Sequence, residues 1–366
     1  MASDDLLVLG VESSCDDTAA AVVYAAANGA RRVLSNVTLA QYDRHAAYGG
    51  VVPEIAARAH VERIDGIIAQ AIEISGHTYS DLDAIAATAG PGLIGGVMVG
   101  LTAAKAIALA HARQLVPVNH LEAHALSVRL TENVEFPYLL LLISGGHTQL
   151  VEVLAVGRYR RLGTTIDDAA GEAFDKSAKL LGLGQPGGPM IEAAALGGRA
   201  DRYGFPKPLA KREGCDFSLS GLKTALRVEV ENIDRPTPQD IADLAASIQA
   251  AIASHLASRT ARAIDLVEDR IGAGTLVVAG GVAANAAIKT SLGALTAARG
   301  WRLVAPPPKY CTDNGAMIAW AGIERLRAGL TPDFADALAF APRARWPLAP
   351  PPPGGELGGG MKGPKA

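Results

Sequence analysis

The residues best placed to do chemistry are two histidines four positions apart, His120 and His124, in the stretch "VNHLEAHALS". On a helix they stack on one face, one turn apart, an arrangement that suits two ligands of one metal ion. The same spacing also occurs in helices that bind nothing, so the pair alone leaves both readings open. A zinc protease requires the order H-E-x-x-H, with the glutamate directly after the first histidine as general base. Here the order is His120, Leu121, Glu122, Ala123, His124, so the glutamate is one position late and the protease base is missing. A metal also needs a further ligand from elsewhere in the chain. Asp313, in "KYCTDNGAMIAWAGIERL", is the candidate. Two histidines and a carboxylate with open positions suit a catalytic zinc or iron ion. Taken alone, an aspartate just before an apolar helix reads as an N-cap.

Such residues need a scaffold. "LLVLGVESSCDDTAAAVV" is an apolar run, a polar turn and a second apolar run, and "PYLLLLISGGHTQLVEVL" repeats the plan about 130 residues later. Each reads as a β-hairpin whose small turn residues let the backbone approach a ligand or simply make a tight turn. Two such hairpins, each opening a lobe, point to a ligand between lobes. "LDAIAATAGPGLIGGVMVGLTAAKAIALAHA" reads as a strand, a Gly/Pro loop and an apolar helix from about Gly95. "TLVVAGGVAANAAIKTSLGAL" reads as a buried strand, a Gly-Gly turn and a helix whose N-terminus is open to an anion. That Gly-Gly is not a G-x-G-x-x-G fingerprint, and G-x-x-x-x-G-K-[ST] is absent. The chain is therefore neither a plain Rossmann protein nor a Walker ATPase.

Two further pieces carry charge. "AGEAFDKSAKLLGL" reads as a helix on which Asp175 and Lys176 form a solvated face. "KPLAKREGCDFSLSGLKTALR" gathers Lys207, Lys211, Arg212, Lys223 and Arg227 around Phe217. A basic loop with an aromatic can hold a phosphate backbone and stack a base; it can equally be solvated surface.

The 366 residues suffice for two lobes, and a composition that is 49% apolar and 19% charged fits a well-packed globular chain. A net charge of −3 excludes a generally basic nucleic-acid coat, so any nucleic-acid contact must be local or come from a partner. Cys15, Cys215 and Cys311 lie far apart with no CxxC, which argues against a zinc knuckle or a disulfide framework. No signal peptide is read in "MASDDLLVLGVESS", and no apolar run demands a membrane. A cytoplasmic location is expected. The Pro/Gly-rich stretch 346–366 is expected to be a disordered tail.

Ten segments together resemble one family in its usual order: "VLGVESSCDDTAAAV", "GGVVPEIAARAH", "AGPGLIGG", "NHLEAHALS", "LLISGGHTQL", "DDAAGEAFDKSAKLLGL", "PGGP", "FSLSGLKTA", "AGGVAAN" and "CTDNGAMIA". It is the bacterial tRNA threonylcarbamoyladenosine transferase family TsaD, once called glycoprotease. The resemblance runs from about Leu6 to Pro347. It implies an α/β fold of the two-lobed ASKHA type, shared by actin, Hsp70 and sugar kinases, with a ligand cleft between lobes. The implied bounds are 1–135 for the first lobe and 136–345 for the second, with a last helix near 313–330 packing back on the first.

The implied reaction moves a threonylcarbamoyl group from threonylcarbamoyl-AMP to N6 of an adenosine beside the anticodon of tRNAs that read codons starting with A. AMP leaves. Carried over by position, His120, His124 and Asp313 match ligands of one divalent metal per subunit, iron(II) first and zinc second. That displaces the N-cap reading of Asp313. Leu142, Ile143, Ser144, Gly145 and Gly146 match the substrate loop, Asp175 and Gly188 the ribose contacts, and Asn285 the adenine-side contact. Glu192 stands where the family often has Asp, and Asp16 matches an acid in the active cleft, the expected base for the N6 proton. "FSLSG" replaces the usual "FSFSG", one aromatic fewer near the expected tRNA face. A TsaB-like paralogue and a TsaE-like ATPase are the implied partners, with no membrane. The rival readings are a metal-dependent protease, an ATPase on the same fold, and a nucleotide-binding scaffold.

Overall fold

The computed structural model describes residues 5–45, 48 and 50–349. The chain divides into two compact units, one of Met1–Asn133 with Thr312–Leu348 and one built on Val134–Cys311. Residues 312–345 thus group with the first unit rather than with the second lobe's bounds. Most of the tail, 350–366, lies outside the described residues.

The first unit holds β1 (Leu6–Glu12), β2 (Asp17–Ala25), β3 (Arg31–Ala40), α1 (Pro53–Ser75), β4 (Ala84–Gly90), α2 (Ile94–His111), β5 (Gln114–Asn119) and α3 (His120–Leu126). Its sheet runs β3-β2-β1-β4-β5. β1 and β2 form the antiparallel hairpin, with Leu6 opposite Ala25 and Glu12 opposite Ala19, and β4 and β5 add in parallel. Leu7, Leu9 and Val11 face the core lined by Ile64, Ile68 and Leu101 of α1 and α2. The alternate residues Val8 and Gly10 face the returning helix Gly315–Arg327. Both faces are covered, so the strand reads as a continuous apolar run rather than an alternation.

That return is unusually close. A Cβ at Gly10 would lie 2.2 Å from the Gly315 carbonyl oxygen and 2.3 Å from the Ala319 nitrogen, and one at Gly315 would lie 2.5 Å from the Ala20 carbonyl carbon. Only two glycines allow strand and helix backbones to touch here. By length and composition alone α2 could cross a membrane, a third of its apolar window being buried. Its Gly96, Val97, Gly100, Leu101, Ala104 and Ala108 are buried within this unit.

The second unit holds β6 (Tyr138–Ile143), β7 (Thr148–Ala155), β8 (Arg158–Thr164), α4 (Ala170–Leu180), α5 (Gly187–Ala194), α6 (Ser220–Glu231), α7 (Pro238–Ile271), β9 (Thr275–Ala279), α8 (Ala286–Ala298) and β10 (Arg302–Val304). The helix Gly315–Arg327 is then α9. The second sheet runs β10-β9-β6-β7-β8, the same order as the first when numbered within its own unit. The repeated hairpins therefore open two copies of one sheet plan, that of the ASKHA fold.

Two sequence expectations fail here. Phe217 is fully buried, its ring 5.9 Å from that of His255, so it stacks no base. Leu219 is also fully buried, so an aromatic in its place would join the core rather than a tRNA face. The polar residues between them do local work. Asp167 accepts from Ser218 Oγ (2.6 Å), Ser220 Oγ (2.7 Å) and the Leu219 N–H (2.8 Å), tying down the start of α6.

His255 Nε2 accepts the Ser218 N–H at 3.2 Å, and burial, then Arg259, pulls its pKa down to about 4. The unfolded chain takes up this proton near pH 6.5, while the folded unit refuses it until about pH 4. Stability present above pH 6.5 is therefore lost as pH falls, by about 2 kcal/mol between pH 7 and pH 5. Thermal melts at the two pH values should show it, and His255→Gln should narrow the gap. An unchanged gap in the variant would assign the acid sensitivity to other groups.

Candidate metal centre and substrate turns

β5 ends at Asn119, whose side-chain oxygen accepts the N–H groups of Leu121 (2.9 Å) and Glu122 (3.3 Å). This N-cap, worth about 1 kcal/mol, starts α3 on the next residue and sets His120 and His124 on one helical face. Their rings lie 4.7 Å apart, edge to face. Asp313 arrives from the other end of the chain. It is not the cap of α9: Asn314 is, accepting the Met317 N–H at 2.9 Å. Asp313 Oδ1 instead lies 3.0 Å from His124 Nε2 and 3.5 Å from His120 Nε2. One ligand atom from each of the three residues lies within 4.8 Å of the others.

Behind His120 stands Glu12, which accepts from His120 Nδ1 at 2.8 Å, from Thr88 Oγ1 at 2.6 Å and from the Ser14 N–H at 2.5 Å. A carboxylate on Nδ1 fixes the ring's orientation and points Nε2 toward the centre. Burial opposes charge on this pair, yet Asp313 and Glu12 outweigh it and raise His120 to about 9, while His120 and Thr88 hold Glu12 below its usual range. Negative charge crowds the corner. Burial first, then Asp313, Asp16 and Glu12, push Asp17 up to about 8. His124 Nδ1 and Asp17 Oδ1 are buried with no hydrogen-bond partner among the described residues. The donor set of two imidazoles and a carboxylate, in a surplus of carboxylates, fits a single metal ion with positions left for substrate.

Asp16 lies half-buried in the turn between β1 and β2. His60 of α1 holds that turn: Nε2 donates to the Cys15 carbonyl at 3.0 Å, and Nδ1 accepts from Thr18 Oγ1 at 2.7 Å. Ser13 Oγ donates to the Gly96 carbonyl at 2.8 Å and accepts the Gly100 N–H at 3.1 Å. Gly90 to Gly95 in fact have the G-x-G-x-x-G spacing between a strand and a helix, which the reading of the sequence passed over. The Leu93 N–H donates to the Ser14 carbonyl at 2.7 Å, and a Cβ on Gly92 would meet that oxygen at 2.5 Å. The loop is filled by the Ser13–Ser14 turn, so these glycines serve packing.

In the second unit, Leu142 and Ile143 sit inside β6, fully buried, and Leu142 is paired with both Gln149 of β7 and Ala279 of β9. Their backbones belong to the sheet, and the exposed part of the expected substrate loop is Gly145 and Gly146, with Ser144 half-buried. The Ser144 carbonyl accepts the Gly171 N–H of α4 at 3.2 Å. Further along α4, Asp175 Oδ1 accepts the Gly187 N–H at 2.7 Å, next to Gly188. Burial raises the Asp175 pKa, so this is no solvated face. Glu192 of α5 accepts the Ala286 N–H at 3.0 Å. Asn285 caps α8 through Ile288 N (3.1 Å) and donates to Gln249 Oε1 at 2.8 Å. A short 3-10 turn, Gly281–Ala284, separates the Gly-Gly from this helix, and its N-terminus, expected to be open to an anion, already holds the Glu192 carboxylate.

The sequence model for tRNA N6-adenosine threonylcarbamoyltransferase, TsaD, matches residues 32–320. The chain belongs to the TsaD family. It is 58% identical over 342 residues to the Methylocapsa acidiphila tRNA N6-adenosine threonylcarbamoyltransferase, covering 93% of this chain and 96% of that one. It is 59% identical over 344 residues to the enzyme of that name from Nitrobacter winogradskyi, covering 94% and 95%. Among solved structures, HypF of T. kodakarensis superposes with a TM-score of 0.61 at 18% identity, covering 91% of this chain and 49% of that one. That likeness speaks for the fold.

Within this TsaD chain, Glu12 and His60 are the residues that motif reading left without a role, although both lie in segments that mark the family. Glu12→Gln keeps the side chain's shape but removes the charge that orients His120. Metal affinity should fall by about 10- to 100-fold, read by competition with a chelator. Unchanged affinity would reduce Glu12 to a packing residue.

Proposed function

We propose that this chain transfers the threonylcarbamoyl group of threonylcarbamoyl-AMP to N6 of the adenosine beside the anticodon, in tRNAs that read codons starting with A. The carrying observation is the family match across most of the chain, at 58% identity to a named relative. The donor is a mixed anhydride whose carbonyl is already activated, so no covalent enzyme nucleophile is needed. N6 attacks the carbonyl carbon, the bond to the phosphate oxygen breaks, and AMP leaves with the electron pair.

The residues divide the work. Asp16 accepts the N6 proton. Ser144, Gly145 and Gly146 hold the donor's phosphate and acyl end through backbone groups, while Asp175, Gly188, Glu192 and Asn285 hold the nucleoside. His120, His124 and Asp313 would hold the metal, iron(II) in preference to zinc, which supplies Lewis acidity and donor orientation when bound. A TsaB-like paralogue and a TsaE-like ATPase assist in the cytoplasm. The protease reading loses its base altogether: Glu122 is buried and paired with Arg325 at 2.8 Å.

The test is transfer of labelled threonylcarbamoyl from its AMP ester to unmodified tRNA, with both partner proteins supplied. Labelled tRNA is expected; no label with verified partners would overturn the reading. Asp16→Asn should lower kcat by about 10²- to 10⁴-fold while donor still binds. Full turnover in that variant would remove Asp16 as the base.

A further inference from the structure

We propose that the loop from Lys207 to Gly214 in the second unit is a phosphate-contacting surface for tRNA, held in shape from beneath by a buried arginine. The inference rests on the transferase reading above, which supplies the tRNA. Its starting point is Arg259 of α7, a side chain left only 1% exposed. Its guanidinium donates to the carbonyls of Leu209 (2.7 Å), Arg212 (3.0 Å) and Gly214 (3.2 Å). Arg262, on the same face of α7, donates to the Ala210 carbonyl at 3.0 Å and also to that of Arg212.

Buried arginines are normally matched by a carboxylate. Among the described residues Arg259 makes no ion pair; carbonyl dipoles solvate its charge without cancelling it. A positive charge therefore persists under the loop. The carbonyls are drawn inward, and Lys207, Lys211 and Arg212 are exposed. None of these three side chains makes a hydrogen bond or ion pair among the described residues, and Glu213 is the loop's one acid. On a chain of net charge −3 this is a local basic surface whose backbone is held by Arg259 and Arg262, which lowers the ordering cost to an anion that docks. With Phe217 in the core, the contact is to phosphates and not to stacked bases.

The experiment titrates labelled unmodified tRNA with the full chain over a series of KCl concentrations, beside the transfer assay. It compares wild type with the combined Lys207→Ala, Lys211→Ala, Arg212→Ala variant, and with Arg63→Ala on α1 as a charge control. The combined variant should bind tRNA at least about tenfold more weakly, with a log K against log salt slope shallower by about 2. Wild-type transfer with equal affinity and slope in the variant would overturn the surface and leave the transferase reading standing. So would an equal loss in Arg63→Ala. Lost transfer with unchanged tRNA affinity and slope would assign the loop to a protein partner, again overturning the proposal. Wild type that neither binds nor modifies tRNA would sink both.

Discussion

Asp313→Ala should strip the centre of metal and lower transfer by at least about a hundredfold. The carboxylate is the ligand that approaches both histidines, at 3.0 Å and 3.5 Å, and three protein ligands are the usual minimum for a catalytic site. The fold should survive. The capping of α9 belongs to Asn314, and the bond between His120 and Glu12 does not involve Asp313. Metal content of the purified variant, read beside its circular dichroism, separates the two effects. Full metal occupancy with normal transfer would remove Asp313 from the ligand set. Loss of metal with transfer and fold retained would show that the ion is dispensable for the reaction.

Gly10→Ala should be nearly as damaging, from a position with no chemistry. The added methyl would meet the Gly315 carbonyl oxygen at 2.2 Å and the Ala319 nitrogen at 2.3 Å, both backbone atoms that no rotamer change can move. Either β1 or α9 must shift, at a cost of about 3 kcal/mol. α9 follows directly on Asp313, so its displacement carries the carboxylate away from His124. The expectation is a lower melting temperature together with weaker metal binding, and neither Gly50→Ala nor Gly66→Ala should reproduce it, because a Cβ at those positions meets nothing within 4 Å. A Gly10→Ala protein that melts and binds metal like wild type would show that the two backbones have room to spare.

The two predictions mark the border between local and tertiary information. Local pattern sufficed for the hairpins, because β1–β2 and β6–β7 pair neighbours through short turns of small residues. It also sufficed for the His120–His124 face, since a four-residue spacing on a capped helix leaves one geometry. The family motifs then assigned the chain and its reaction. Asp313 was different. A carboxylate before an apolar helix looks like a cap; the family motif names it as a ligand instead, and the fold supplies the geometry, with Asn314 taking the cap and Asp313 turned to the histidines.

The same limit explains the misreadings. Phe217 among basic residues looked like a stacking platform, but burial depends on what packs over a residue, here His255 of α7. The Gly-Gly turn before α8 looked open, but Glu192 reaches its first N–H from a helix more than ninety residues earlier. Glu12 lies in a family motif, but nothing local signals its role, which depends on Thr88 and His120 arriving from β4 and α3. The sequence by itself determined the strands, the helices, the shared face of His120 and His124 and the family, all of which rest on short-range periodicity or motif. The approach of Asp313 to both histidines, which the motif named but did not place, the carboxylate behind His120 and the charge beneath the basic loop were decided by the tertiary structure, because each depends on distances between residues far apart in the chain.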